Sequence, residues 1–140
     1  MTEKYKILGQ FIKDSSSETP DIETYLYVRD NMTSYQLGID ITSKALKNKM
    51  VEVNTTFKFT DKTESKIKSH FEIVYATIIK VGDEIKEKKE LEKIILCDLQ
   101  IQIYPNLEKS LLNLLHNSGY PNVQFDKKVD FENLYNQRFN

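Results

Sequence analysis

Apolar and polar residues alternate through the middle of the chain. Tyr35, Leu37, Ile39 and Ile41 fall on one side of a period-two pattern, and Gln36, Gly38 and Asp40 on the other, which predicts a half-buried strand. Val51, Val53, Thr55, Phe57 and Phe59 alternate in the same way against Glu52, Asn54, Thr56 and Lys58, with Lys47-Asn48-Lys49 supplying a turn between the two runs. A third strand is expected over Phe71 to Val81, a stretch rich in β-branched and aromatic residues that follows the polar connection Asp61-Lys62-Thr63-Glu64. Short links between three strands predict an antiparallel meander.

The period changes after Val81-Gly82-Asp83. Lys86 to Lys93 combines strong helix formers with mixed charges at helical spacings. The stretch 97–105 is open to two readings: Leu99, Ile101 and Ile103 alternate like a strand, while Leu91, Ile94 and Ile95 fit a helical stripe. Pro105 suits the first turn of a helix, and Leu107, Leu111, Leu114 and Leu115 then recur at helical intervals. That helix must stop at Ser118-Gly119-Tyr120-Pro121, where glycine can turn left-handed and proline blocks continuation. Asp130 can cap a last helix with Phe131, Leu134, Tyr135 and Phe139 on its aromatic face. In the first 33 residues, Ser15-Ser16-Ser17 and Pro20-Asp21 interrupt any long element around Ile7, Phe11 and Ile12. An arm or short edge strand lying against something larger is expected there. The chain therefore divides, within one domain over 1–140, into an N-terminal arm (1–33), antiparallel strands (34–82) and a helical part (86–140).

Composition narrows the function classes. Charged residues make up 29% of the chain, yet the formal net charge is -1, so no global field draws in nucleic acid or an anionic membrane. The segment Met1-Thr2-Glu3-Lys4-Tyr5-Lys6 has no apolar signal core, and Ile94-Ile95-Leu96-Cys97 is too short to cross a bilayer. A cytoplasmic protein without direct membrane insertion is expected. Cys97, the single cysteine, sits in that apolar run and reads as a buried structural thiol. His70 and His116 fall in different elements with no second ligand at metal spacing, so no metal site is expected. The carboxylate pairs Asp14/Glu18 and Glu87/Glu90 read as solvated faces. With four glycines and no phosphate loop, neither a nucleotide cofactor nor catalysis is expected. Eight tyrosines and seven phenylalanines, without tryptophan, remain as broad apolar contact surface or core.

Several short motifs occur in a recognisable order. Lys13, Asp14, Ser16, Glu18 and Pro20 come first, then Val51-Glu52-Val53, Phe71-Glu72-Ile73-Val74-Tyr75-Ala76, Tyr104-Pro105, Ser118-Gly119-Tyr120-Pro121 and finally Val129-Asp130-Phe131-Glu132-Asn133-Leu134-Tyr135. From about Leu8 to Tyr135 this series resembles the SecB family of bacterial protein-export chaperones. The resemblance implies an α+β fold, a four-stranded antiparallel sheet packed with a long helical segment and a C-terminal helix, assembled as a homotetramer (a dimer of dimers). It further implies an ATP-independent holdase that binds unfolded preproteins in apolar grooves and delivers them to the SecA motor. Residue by residue, it assigns Tyr35, Leu37, Ile39, Phe131, Leu134 and Tyr135 to the client groove, and Asp14, Glu18, His70 and Glu72 to SecA contact. Lys128 stands where the family commonly has proline. The near-neutral charge and the end at Asn140 without a long acidic tail imply weaker electrostatic attraction to SecA. The alternative is a SecB-like chaperone dedicated to the antitoxin of a toxin-antitoxin module.

Overall fold

The computed structural model describes residues 4–63, 66–125 and 128–139. The first three residues, Glu64 of the expected connection and the side chain of Phe139 lie outside the described residues. Four strands, β1 (Tyr5–Glu18), β2 (Tyr35–Ala45), β3 (Met50–Asp61) and β4 (His70–Val81), form one antiparallel sheet in the order β1-β4-β3-β2. Helix α1 (Ile22–Asp30) joins β1 to β2. Helix α2 (Lys88–Lys93), a wide π turn (Ile94–Asp98) and α3 (Leu99–Asn117) run on as one helical segment, and α4 (Phe131–Phe139) closes the chain.

The alternation read from the sequence is the alternation of the sheet. Val53, Phe57, Phe71, Ile73 and Ile79 are buried on one face, against Leu99, Ile103, Leu107, Leu111 and Leu115 of α3. Each such side chain contributes about 1.5–3 kcal/mol by leaving water. The β2–β3 turn falls at Lys47-Asn48-Lys49 as expected: the Met50 N–H donates to the Lys47 carbonyl, and Asn48 and Lys49 both lie at φ 61°.

The N-terminal segment is more ordered than an interrupted arm. β1 is 14 residues long and runs straight through the serines, with Ser15, Ser16 and Ser17 paired to Ile73, Glu72 and Phe71. Backbone pairing along β4 outweighs their weak strand preference. Pro20 lies beyond the strand, and Asp21 starts an unexpected helix by accepting the Thr24 N–H at 2.8 Å.

Between α2 and α3 the ambiguous stretch is helical throughout, which displaces Pro105 from a helix start to the interior of α3. Proline is tolerated because it faces outward: the carbonyl it leaves unbonded, four residues back, belongs to Ile101, whose side chain is 53% exposed, so water is at hand. The wide turn has its own internal partner. Gln100, fully buried, donates its amide to the Ile95 carbonyl and accepts the Thr55 hydroxyl, each at 3.0 Å, tying helix to sheet.

Candidate functional site

Helix α3 ends as its sequence requires. Gly119 lies at φ 108°, its N–H donates to the His116 carbonyl, and the Tyr120 N–H reaches back to Leu115 at 3.0 Å. A side chain at Gly119 would strike the Tyr25 ring 2.6 Å away. This close approach lets the Tyr25 hydroxyl donate to the Gly119 carbonyl and its ring stack on Tyr120 at 5.3 Å. The turn thus docks α1 on the end of α3.

Beyond the turn, Val123 and Phe125 fold back toward β2 and enclose a hollow of about 660 Å3. Tyr35, Leu37, Phe59, Phe125 and Val129 form its apolar walls. Phe59 and Phe125 meet edge to face at 5.7 Å, and Tyr35 packs on Phe59 at 5.3 Å. The Tyr35 hydroxyl is held from both sides: it donates to the Ser69 carbonyl and accepts the Ser69 N–H. Burial raises its pKa. A smaller hollow of about 370 Å3, lined by Tyr25, Arg29 and Tyr120, adjoins the first through Met32, Asn122 and Val123.

Among the described residues, Lys128 is the one charged residue in the wall of the larger hollow, and it is neutralised. Its ammonium lies 2.6 Å from Glu108 and 5.9 Å from the centre of the Tyr104 ring. Burial works to raise the Glu108 pKa, but the bond from Lys128 and the nearby Tyr104 hydroxyl outweigh it and hold the carboxyl below its ordinary value. Burial, with the Glu108 carboxylate adding to it, pushes the Tyr104 phenol up to about 12.

The expected groove residues divide between three places. Tyr35 and Leu37 line the larger hollow, and Ile39 continues their row on the same face, half-buried opposite Phe57. Phe131 is buried edge to face on Tyr104 at 5.7 Å, and Leu134 is 47% exposed. Tyr135 lines a separate hollow of about 280 Å3 with Lys4, Glu87 and Ile94. The sequence reading did not single out Met32, Phe59, Val123, Phe125 and Val129 as walls. The available signal was the apolar alternation Val123/Phe125 inside a segment otherwise read as a connection.

The other face of the sheet carries the second expected set. Register places Asp14 opposite Val74, Ser16 opposite Glu72 and Glu18 opposite His70, so Asp14, Glu18, His70 and Glu72 gather on one corner of the face turned away from α3. Lys58 pairs with Glu72 at 3.5 Å, and Lys13 with Glu52 at 3.2 Å. The Glu52 pKa is lowered by its hydrogen bonds from Asn54 and Lys13. Among the described residues, no group of three or more metal-ligating side chains gathers, and no helix is long and apolar enough to cross a membrane.

Comparison with known proteins places this geometry in a family. The family model for preprotein translocase subunit SecB matches residues 1–140. The chain is 58% identical over 140 residues to a candidate protein-export protein SecB of Pelagibacter ubique, covering 100% of both chains. It is 26% identical over 133 residues to the protein-export protein SecB of Parvibaculum lavamentivorans, covering 95% of this chain and 77% of the other. Among solved structures, its fold is similar to that of the Mycobacterium tuberculosis SecB-like chaperone Rv1957 in complex with a ChAD peptide from the HigA1 antitoxin. That match has a TM-score of 0.66 at 10% identity and covers 89% of this chain and 91% of the other. The chain belongs to the SecB family of protein-export chaperones.

Proposed function

We propose that the chain is an ATP-independent, non-enzymatic holdase of the cytoplasm. It keeps preproteins unfolded by seating their apolar segments beside β2 and passes them to SecA. The observation that carries this reading is the hollow of about 660 Å3 at the edge of the sheet, walled by aromatic and aliphatic side chains and holding, among the described residues, one charge that is already paired. Apolar contact of this kind favours unfolded segments without demanding one sequence, and it is reversible because it comes from many small terms. Leu37 and Ile39 are the central contacts, and Phe131, Leu134 and Tyr135 extend the surface along α4. Asp14, Glu18, His70 and Glu72 form the SecA contact, where two exposed carboxylates offer charge to a basic partner. The assembly is a homotetramer.

The deciding measurement is native mass with and without a permanently unfolded polypeptide, in the absence of nucleotide. A tetramer that takes up the polypeptide and slows its aggregation supports the reading; a monomer that does neither overturns it. Asp14→Lys combined with Glu18→Lys should weaken SecA binding at least tenfold while client uptake is unchanged. The second reading, an antitoxin-directed chaperone, takes its support from the antitoxin peptide held by the structural neighbour. Selective uptake of one antitoxin segment over unfolded preproteins would replace the export reading with this one.

A further inference from the structure

Charge is balanced over the whole chain but not over the sheet. On the face turned away from α3, Lys6 of β1 lies directly opposite Lys80 of β4, and Lys80 lies opposite Met50 of β3 on its other side. The Leu46 N–H donates to the Met50 carbonyl at 2.8 Å, which completes one row across the four strands: Lys6, Lys80, Met50 and Leu46. The next row carries Ile78, Glu52 and Lys44, and Lys47 follows Leu46 into the hairpin turn. Like charges placed directly opposite cost stability, so the sheet alone gives no reason to set Lys6 beside Lys80. Among the described residues, Lys6, Lys44, Lys47 and Lys80 form no ion pair; Glu52 is taken by Lys13 at 3.2 Å and Asp83 by Lys49 at 2.6 Å. Glu84, folded over Gly82 two positions beyond Lys80, offsets one of the four charges. Exposed apolar side chains border the lysines: Leu46 is 36% exposed and Leu8, at the bulge between Ile7 and Gly9, 48%.

We propose that this corner docks the protein on an anionic lipid surface, with the lysines at the headgroup phosphates and Leu46 entering the headgroup layer. The docking is peripheral and reversible, since a few lysines and one leucine supply only a shallow hold. The formal net charge of -1 does not oppose it, because salt confines the attraction to charges within about 10 Å of the surface at 0.1 M. Two features favour lipid over nucleic acid. The basic residues of the corner are all lysine, whereas arginine is the usual partner for phosphodiesters in nucleic-acid recognition. The two rows also hold no aromatic ring on which a base could stack. The exposed aliphatic side chains have a use at a bilayer and none against a sugar-phosphate backbone. Glu18, in the acidic corner of the same face, is twelve residues along β1 from Lys6, a span of about 40 Å, so the two corners can be engaged separately.

Co-sedimentation of the full chain with vesicles of equal parts phosphatidylcholine and phosphatidylglycerol tests this, against vesicles of phosphatidylcholine alone. Affinity for the mixed vesicles should be at least tenfold higher and should fall as salt is raised. Lys6→Gln combined with Lys80→Gln relieves a repulsion, so the variant should fold, and it should lose at least tenfold in affinity for the mixed vesicles. Lys62→Gln combined with Lys68→Gln removes the same charge from the opposite end of the sheet and should change that affinity less than twofold. The chain has no tryptophan, so Leu46→Trp supplies a single reporter whose emission should shift to the blue on mixed vesicles. Absence of binding to the mixed vesicles, equal losses in the two lysine pairs, or unshifted emission of vesicle-bound Leu46→Trp overturns the proposal. Binding of polyuridylate with the mixed vesicles left unbound assigns the corner to nucleic acid and likewise overturns it.

Discussion

Strand β1 meets β4 with register shifts at Ile7/Gly9 and Ile12/Asp14, whereas β2 meets β3 without one. The two edges of one sheet are also supported differently. β1 is fastened by polar side chains: Tyr5 donates to Gln102 of α3, Gln10 accepts the Tyr75 hydroxyl at 2.7 Å, and Ser17 bonds Ser118 at 2.7 Å. β2 instead leans on apolar neighbours, with Leu37, Ile39 and Ile41 half-buried over Phe59, Phe57 and Thr55. Bulges bend an edge and interrupt its row of donors and acceptors, while an unbroken strand keeps that row regular. The difference separates an edge held in place by directional bonds from one whose backbone and apolar face are both available.

The largest test of this contrast is Phe57→Ala, which empties the space between Ile39 and Tyr104. Phe57 is 1% exposed and meets Tyr104 at 6.1 Å, so a loss of about 3–5 kcal/mol is expected by chemical denaturation. Gly119→Ala attacks the other side, because the turn it strains adjoins Ser118, the partner of Ser17 in β1. With φ at 108° and the Tyr25 ring in the way, about 1–3 kcal/mol should be lost, with faster exchange in α1. The pH dependence probes the clasp behind the hollow. Below pH 10 Tyr104 is protonated whether the chain is folded or not; between 10 and about 12 the unfolded chain gives up its proton first, so stability falls with rising pH. Tyr104→Phe should reduce that fall by about 1–2 kcal/mol. At the acid end, the contribution of Glu108, whose folded pKa is lowered, is present at neutral pH and lost as pH drops through that lowered value. Glu108→Gln should flatten the acid limb of a pH-denaturation curve. The smallest effect is a gain: Lys49→Gly relieves a left-handed residue at the tip of the β2–β3 hairpin and should add about 1 kcal/mol.

Strands β2, β3 and β4, the end of α3 at Gly119 and the Asp130 cap, whose carboxylate accepts the Asn133 N–H at 3.0 Å, were legible because each rests on local chemistry. Helix α1 was not. It buries only Thr24 and Val28 and leaves Ile22 68% exposed, so no apolar stripe announces it. β1 was shortened in the sequence reading because its serines carry no strand signal, and its length comes from the partner strand. Pro105 misled because a proline on the outward side of a helix is indistinguishable, in sequence, from one that starts it. Of the candidate site, the apolar row on β2 was legible as alternation, whereas Asp14, Glu18, His70 and Glu72 were singled out by the family resemblance alone and share a corner of the open face through strand register. The part contributed by Val123, Phe125 and Val129 was not legible, since the course of a connecting segment is set by what it packs on.

Leu91, Ile95, Leu99, Ile103, Leu107, Leu111 and Leu115 recur every fourth residue. In a regular helix four residues advance about 400°, so a repeat of four creeps about 40° around the axis at each step. A long rod with that spacing would roll its apolar line away from a sheet. The wide turn at Ile94–Asp98 uses more residues per revolution and takes back part of this creep near the start of the repeat. The Gln100 amide, anchored on Ile95 and Thr55, holds the correction in place. Deleting one residue there would leave the leucines downstream intact but rotate α2 by about 100° relative to them. The wide turn is thus a phase correction that lets one continuous helical segment follow the sheet along its length.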